Sequence, residues 1–164
     1  MVQFCLSLAR LEQRHGWNND ISSNLNPHWG YKNTRSVVHS SLHQILPNYP
    51  SAHKPRTITY IAKHFKSLVT ISRNSPNDAD LQILSIVEGG KEIQPINIYN
   101  EGNTCEKTTT RSLFTTSLHP QSLLIGDFNS HHPSWGHFNE PSLEAEELYE
   151  WFEDNNFELA NGQE

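Results

Sequence analysis

The sequence predicts a mixed α/β domain, and three observations carry that prediction. Runs of β-branched and aromatic residues recur through the middle of the chain, at Thr57 to Ile61, Leu81 to Val87 and Ile93 to Tyr99. Apolar residues at helical spacing follow Ser142. An apolar run, Ser122-Leu123-Leu124-Ile125, then leads straight into a polar loop beginning Gly126-Asp127-Phe128-Asn129.

Taken in order, Phe4, Leu8 and Leu11 sit at helical spacing, so residues 2–14 read as a short amphipathic helix. From Gly16 to Gly30 the pattern dissolves into Asn, Ser, Pro and Trp, which is loop chemistry. Ser36 to Leu46 reads as a weak strand ending at Pro47, and Asn48-Tyr49-Pro50-Ser51 as a turn. The strand at Thr57 to Ile61 is the first strong one. The Leu81 to Val87 strand turns through Glu88-Gly89-Gly90-Lys91 into its antiparallel partner, Ile93 to Tyr99. Pro95 has no N–H to give to a ladder, which predicts that this strand starts at an edge or a bulge.

Ser142 is placed to cap a helix carrying Glu144, Glu146 and Glu147 in its first turns, where the helix dipole favours negative charge. Ala145, Leu148, Trp151 and Phe152 form its buried stripe, and Asn155-Asn156 ends it. Phe157-Glu158-Leu159-Ala160 reads as the start of another strand.

Only 35% of the 164 residues are hydrophobic, against roughly 45–50% in average globular usage. A loop-rich or an incomplete domain is expected. The formal net charge of -6 excludes a surface basic all over. The charge is uneven, however. Acids crowd the stretch from Glu140 to Glu158, whereas Arg35 to Arg73 holds Arg35, Lys54, Arg56, Lys63, Lys66 and Arg73 and no acid. That is compatible with one phosphate-facing side. Cys5 and Cys105 make no disulfide framework and no CxxC pair, so a reducing compartment is expected. The N-terminal apolar run lacks a basic leader and is too short for a membrane span. A soluble intracellular protein, nuclear or cytoplasmic, with no membrane partner is the expectation.

Asp127 and Asn129 are the strongest candidates for chemistry. Two positions apart beyond a strand end, they place a carboxylate and an amide on one side of the chain. A carboxylate orients or activates water and an amide donates to a phosphate oxygen, so the pair suits phosphodiester hydrolysis. An ordinary solvated turn is the alternative. Asn97 and Tyr99 alternate with Ile96 and Ile98, which sends the amide and the phenol to the polar face. His131, His132 and His137 match no closed zinc spacing, and loop histidines lining a groove are the simpler reading. Trp135-Gly136 reads as a packing anchor.

These residues resemble the endonuclease/exonuclease/phosphatase superfamily, which includes apurinic endonucleases and DNase I-like enzymes. Within it they are most similar to the endonuclease domain of non-LTR retrotransposon reverse transcriptases. In that group a strand ends in Gly-Asp-Phe-Asn, followed by His-His-Pro and Trp-Gly. Here these are Gly126-Asp127-Phe128-Asn129, His131-His132-Pro133 and Trp135-Gly136. An Asn-x-Tyr strand precedes them, as Asn97-Ile98-Tyr99 does here. The strand from Pro55 to Ile61 and the helix from Ser142 are similar too. The resemblance covers residues 26–164 and leaves 1–25 as a poorly matched segment.

The resemblance implies a four-layered α/β sandwich, DNase I-like, with two sheets face to face and helices outside. It implies Mg²⁺-dependent hydrolysis of phosphodiesters with DNA as the partner. Asp127 would orient or deprotonate the attacking water, Asn129 would bind the scissile phosphate, and Tyr99 would contact the same phosphate. Asn97, His131 and His132 would add phosphate or DNA contacts. The family's metal-binding Glu lies on an early strand, in Gln-Glu-Pro-Trp. The local counterpart, Leu25-Asn26-Pro27-His28-Trp29-Gly30, puts Asn26 in its place, and an amide binds Mg²⁺ less well than a carboxylate. The family's first strand, with its own Asn, and its Ser-Asp-His element have no counterpart. The expectation is therefore a partial domain, weakly active or inactive. A non-catalytic remnant that binds nucleic acid or protein is the alternative.

Overall fold

A computed structural model describes residues 21–24, 40–48, 55–100, 108–136 and 140–159, with 21–24, 108 and 109 as backbone alone. Among the described residues, seven strands form two sheets. Sheet 1 has the order β1-β3-β2, with β1 at Ile21–Asn24, β2 at Leu42–Ile45 and β3 at Ile58–Ala62, all antiparallel. Sheet 2 has the order β4-β5-β6-β7, with β4 at Val69–Ile71, β5 at Leu81–Glu88, β6 at Lys91–Tyr99 and β7 at Ser122–Asp127. Its first two pairings are antiparallel, and β6 pairs with β7 in parallel. A parallel neighbour needs a crossover, since a tight hairpin only joins antiparallel strands. That crossover carries helix α1, Thr108–Phe114. Helix α2, Leu143–Asp154, follows β7.

Strand periodicity divides the core in two. Leu84 and Ile86 of β5 face sheet 1 and pack with Ile61 and Val69, flanked by Ile45, Phe65 and Leu68. The alternate residues Leu81 and Ile83, with Ile96, Ile98 and Leu124, face outward and are covered by Leu113 of α1 and by Ala145 and Leu148 of α2. The described residues thus form a sheet, a second sheet and a helical layer, three of the layers expected. Between the sheets, Thr59 Oγ1 donates to Gln82 Oε1 at 2.5 Å, and Gln82 Nε2 donates to the Ile45 carbonyl at 3.2 Å. Helix α2 begins as the sequence indicates, with Ser142 Oγ accepting from the Ala145 N–H at 3.2 Å.

Several expectations are corrected. The stretch from Gly16 to Gly30 is not all loop, because Ile21–Asn24 pairs with β3. Backbone bonding to a strong neighbouring strand outweighs the weak β-propensity of Ser and Asn there. The weak strand at Ser36 to Leu46 shortens, among the described residues, to Leu42–Ile45. Pro95 lies in a central strand rather than at an edge. The β5–β6 pairing runs from Ile83↔Ile96 to Ile86↔Ile93 with no pair at Pro95, so the ladder is interrupted where the N–H is missing. Phe157–Leu159 is not a strand; the Phe157 N–H closes back on the Phe152 carbonyl at 2.9 Å. The short strand β4 and helix α1 were not expected. The helix at residues 2–14 and the Asn26 position lie outside the described residues. No helix among the described residues is long and apolar enough to cross a membrane.

Candidate active site

The site forms at the rim where β6 and β7 end. Parallel register sets Tyr99 directly beside Asp127 and Asn97 beside Ile125, all on the face turned toward sheet 1. Gly126 makes this approach possible. It pairs with Ile98, and a Cβ built on it would lie 2.0 Å from the Ile98 carbonyl oxygen. Only a residue without a side chain lets β7 close on β6 there.

Past Asp127 the chain leaves the strand. The Asn129 N–H donates to Asp127 Oδ1 at 3.1 Å, closing an Asx turn, and Asn129 takes φ +44°. Asparagine tolerates this left-handed geometry better than most residues. The turn, not strand alternation, therefore sets Asn129 beside Asp127. Asp127 is only 6% exposed, so this is no solvated loop. Asn129 Nδ2 donates to the Asn100 carbonyl, which determines the end of the amide that carries nitrogen.

Two further groups frame the rim. Arg56 lies with its guanidinium carbon 5.0 Å from the centroid of the Tyr99 ring, a cation–π contact. Asp80 holds the same guanidinium in a two-point pair, with Nε donating to Oδ1 at 2.8 Å and Nη2 to Oδ2. The Asp80 carbonyl also accepts the Tyr99 N–H at 2.8 Å. Tyr99 is thus positioned through both its ring and its backbone by one ion pair. The other group is Asn100, fully buried, which bonds to the turn at several points. Sequence reading missed Arg56, Asp80 and Asn100 as site residues. The signal was present for Arg56, in the Pro55-Arg56-Thr57 entry to β3. Asn100 stood directly after the Asn-x-Tyr motif.

The structure brings Asp127, Asn129 and Tyr99 together. It gives Asn97 and His132 other work. Asn97 faces the covered interior between the sheets, 3% exposed, and donates through Nδ2 to Thr59 Oγ1 at 3.2 Å and the Ile58 carbonyl at 3.4 Å. The expected polar face is therefore not open, because sheet 1 lies over it. Asn97 Oδ1, an acceptor, has no partner among the described residues, and an acceptor does not attract a phosphate. His132 is buried and stacks on Tyr149, with centroids 4.4 Å apart and ring planes 11° apart. Its Nδ1 accepts from the Ser134 N–H at 3.1 Å, and Nε2 meets Glu146 Oε2 at 3.4 Å. With Nδ1 engaged within the loop and Nε2 on α2, His132 ties the loop to the helix. His131 is exposed on the same loop. Trp135 is the anchor its motif suggested: it is buried, and Nε1 donates to the Ser130 carbonyl at 3.1 Å.

Mg²⁺ takes oxygen ligands, usually a carboxylate or two with several waters. At the rim, Asp80 is committed to Arg56, which leaves Asp127 as the one carboxylate placed by the motif. No three metal-ligating His, Cys, Asp or Glu groups converge among the described residues. The described donors therefore do not build a site for the metal implied by the resemblance, and Asn26 lies beyond them.

Comparison with known proteins finds one similar family and a similar solved structure. Residues 93–164 match the family described as endonuclease-reverse transcriptase. Over these residues the chain is similar to that family. The match takes in both motif strands, the Asp127–Asn129 turn and helix α2. Among solved structures, the chain is similar to the endonuclease domain of TRAS1, a telomere-specific non-LTR retrotransposon. The TM-score is 0.58 at 13% identity, over 71% of this chain and 54% of that one. At that identity the likeness shows the fold, which is DNase I-like. The chain spans about half the length of the TRAS1 domain. Comparison with curated proteins finds no match. The chain thus has a DNase I-like fold, and its residues 93–164 are similar to the endonuclease-reverse transcriptase family.

Proposed function

We propose that this domain hydrolyses phosphodiester bonds of DNA, nicking one strand at a low rate. The observation that carries this reading is the side-by-side placement of Tyr99 and Asp127 on adjacent parallel strands, with Asn129 turned beside them. The Asp127 carboxylate orients a water molecule and draws its proton as the water oxygen attacks phosphorus. The phosphorus–oxygen bond to the leaving sugar breaks, and that oxygen takes up a proton from solvent. Negative charge grows on the phosphate oxygens in the transition state. The Asn129 amide and the Tyr99 phenol, held before the reaction begins, donate to those oxygens as it grows. Asp80 and Arg56 keep the phenol in place.

The rate is low because the family's early Glu has Asn26 as its counterpart and the described donors assemble no metal site. Groups that act as a unit lose most of their effect together. Purified chain incubated with supercoiled plasmid in Mg²⁺ buffer tests the proposal. Slow conversion to the open circle, lost in Asp127→Ala, is the expected result. Conversion indifferent to Asp127→Ala, or none with the chain in large excess, overturns it.

A further inference from the structure

We propose that Asn100 is the positioning residue of this site, holding the Asp127-Phe128-Asn129 turn in its reactive shape. The inference rests on the reading of that turn given above and adds a residue outside the motifs. Asn100 is 0% exposed and contacts all three residues of the turn. Its N–H donates to the Asp127 carbonyl and its Nδ2 to the Phe128 carbonyl, both at 2.8 Å. Its own carbonyl accepts from Asn129 Nδ2. Its Oδ1 accepts from Thr110 Oγ1 of α1 at 3.2 Å, and Glu144 Oε1 of α2 lies 3.4 Å from both Asn100 Nδ2 and Thr110 Oγ1.

The chemistry of asparagine suits this place. It carries a donor and an acceptor on one short planar group, so it satisfies the Phe128 carbonyl and the Thr110 hydroxyl at once. Leucine has a similar volume but would leave both buried groups unpaired, and aspartate would set a carboxylate against a carbonyl oxygen. The turn needs such a hold. Asn129 is non-glycine at positive φ, a conformation that persists when its surroundings over-determine it. A side chain that merely filled the core would have no need to be polar there. Asn100 therefore ties the β6 end to the turn and links both to the helices covering sheet 2.

Amide hydrogen exchange by NMR separates this role from simple stabilisation. Exchange through global unfolding accelerates every core amide by one factor, whereas loss of a local hold acts on the turn alone. In Asn100→Ala, exchange at the Asn129 N–H and its side-chain amide should accelerate by about tenfold or more beyond the change at Ile96 and Ile98. Thr110→Val, which removes the Oδ1 partner and spares the bond to Phe128, should give a smaller excess at the same residue. Where the unmodified chain nicks plasmid, Asn100→Ala should lower kcat by about tenfold or more with KM nearly unchanged. Equal acceleration at Asn129, Ile96 and Ile98 in the variants overturns the proposal. If Asn100→Ala does not fold, the Thr110→Val comparison decides it. If the unmodified chain does not nick, the reading of the reaction fails, and the exchange comparison still decides the role of Asn100.

Discussion

Replacing Gly126 with alanine tests whether close approach of β7 to β6 builds the site. The added Cβ would sit 2.0 Å from the Ile98 carbonyl oxygen and 2.5 Å from Ile98 Cγ2. Real Cβ atoms essentially never approach another heavy atom within 3.0 Å, so the strands must part by 1.0 Å at least (3.0 less 2.0). The nearest atom is backbone on a strand paired on both sides, so no rotamer change relieves the clash. A shift of that size takes hydrogen bonds of about 2.9 Å beyond bonding range. Two lost ladder bonds cost about 1 kcal/mol each, and overpacking adds about 1–3 kcal/mol. The sum, about 3–5 kcal/mol, is a large part of the roughly 5–15 kcal/mol that holds a typical domain folded. Urea denaturation reads it as a fall in midpoint at constant slope. Gly89→Ala is the control. Gly89 has φ +56° and nothing within 4 Å of the added Cβ, so only left-handed strain of about 1–2 kcal/mol applies. A Gly126→Ala variant no less stable than Gly89→Ala would refute the close-approach argument.

Two other outcomes follow from particular bonds. Ser142→Ala removes the cap on the Ala145 N–H and should destabilise the domain by about 1 kcal/mol, read as a drop of about 2–4 °C in Tm. Hydrogen bonds from Gln94 and then Ser85 hold the Glu92 carboxyl below its usual range. Its contribution is therefore complete above the unfolded carboxylate value and is lost as pH falls through the lower folded one. Glu92→Gln should melt below the unmodified protein near pH 6, and the gap should narrow as pH falls below the usual carboxylate range; a constant gap would contradict that linkage.

Much of this architecture was legible because local chemistry and tertiary role agree. The Glu88-Gly89-Gly90-Lys91 turn, the β5–β6 hairpin, the Ser142 cap and the Ala145–Leu148 stripe each follow from neighbours in sequence, and each is present. What was missed depends on distant partners. Helix α1, Thr-Thr-Thr-Arg-Ser-Leu-Phe, is poor helix former by composition and is held where Leu113 enters the core. Pro95 read as an edge or bulge residue because the sequence shows its missing N–H but not the break in the ladder that accommodates it. Asn97 shared a face with Tyr99 as alternation required, yet alternation does not reveal that another sheet covers that face. In the site, Asp127, Asn129 and Tyr99 were readable from the motifs. The supports, Arg56, Asp80 and Asn100, were not, because a buried polar residue announces itself only through the partners it finds.

The parallel pairing of β6 and β7 bears on how this site comes into being. Tyr99 leaves the ribosome well ahead of Asp127, and nothing local draws them together. The whole excursion through α1 must loop back before phenol and carboxylate become neighbours. Such a return is entropically slow, and hairpins like β5–β6 close sooner. The rim that joins Tyr99 to Asp127 is therefore expected to form after the antiparallel hairpin.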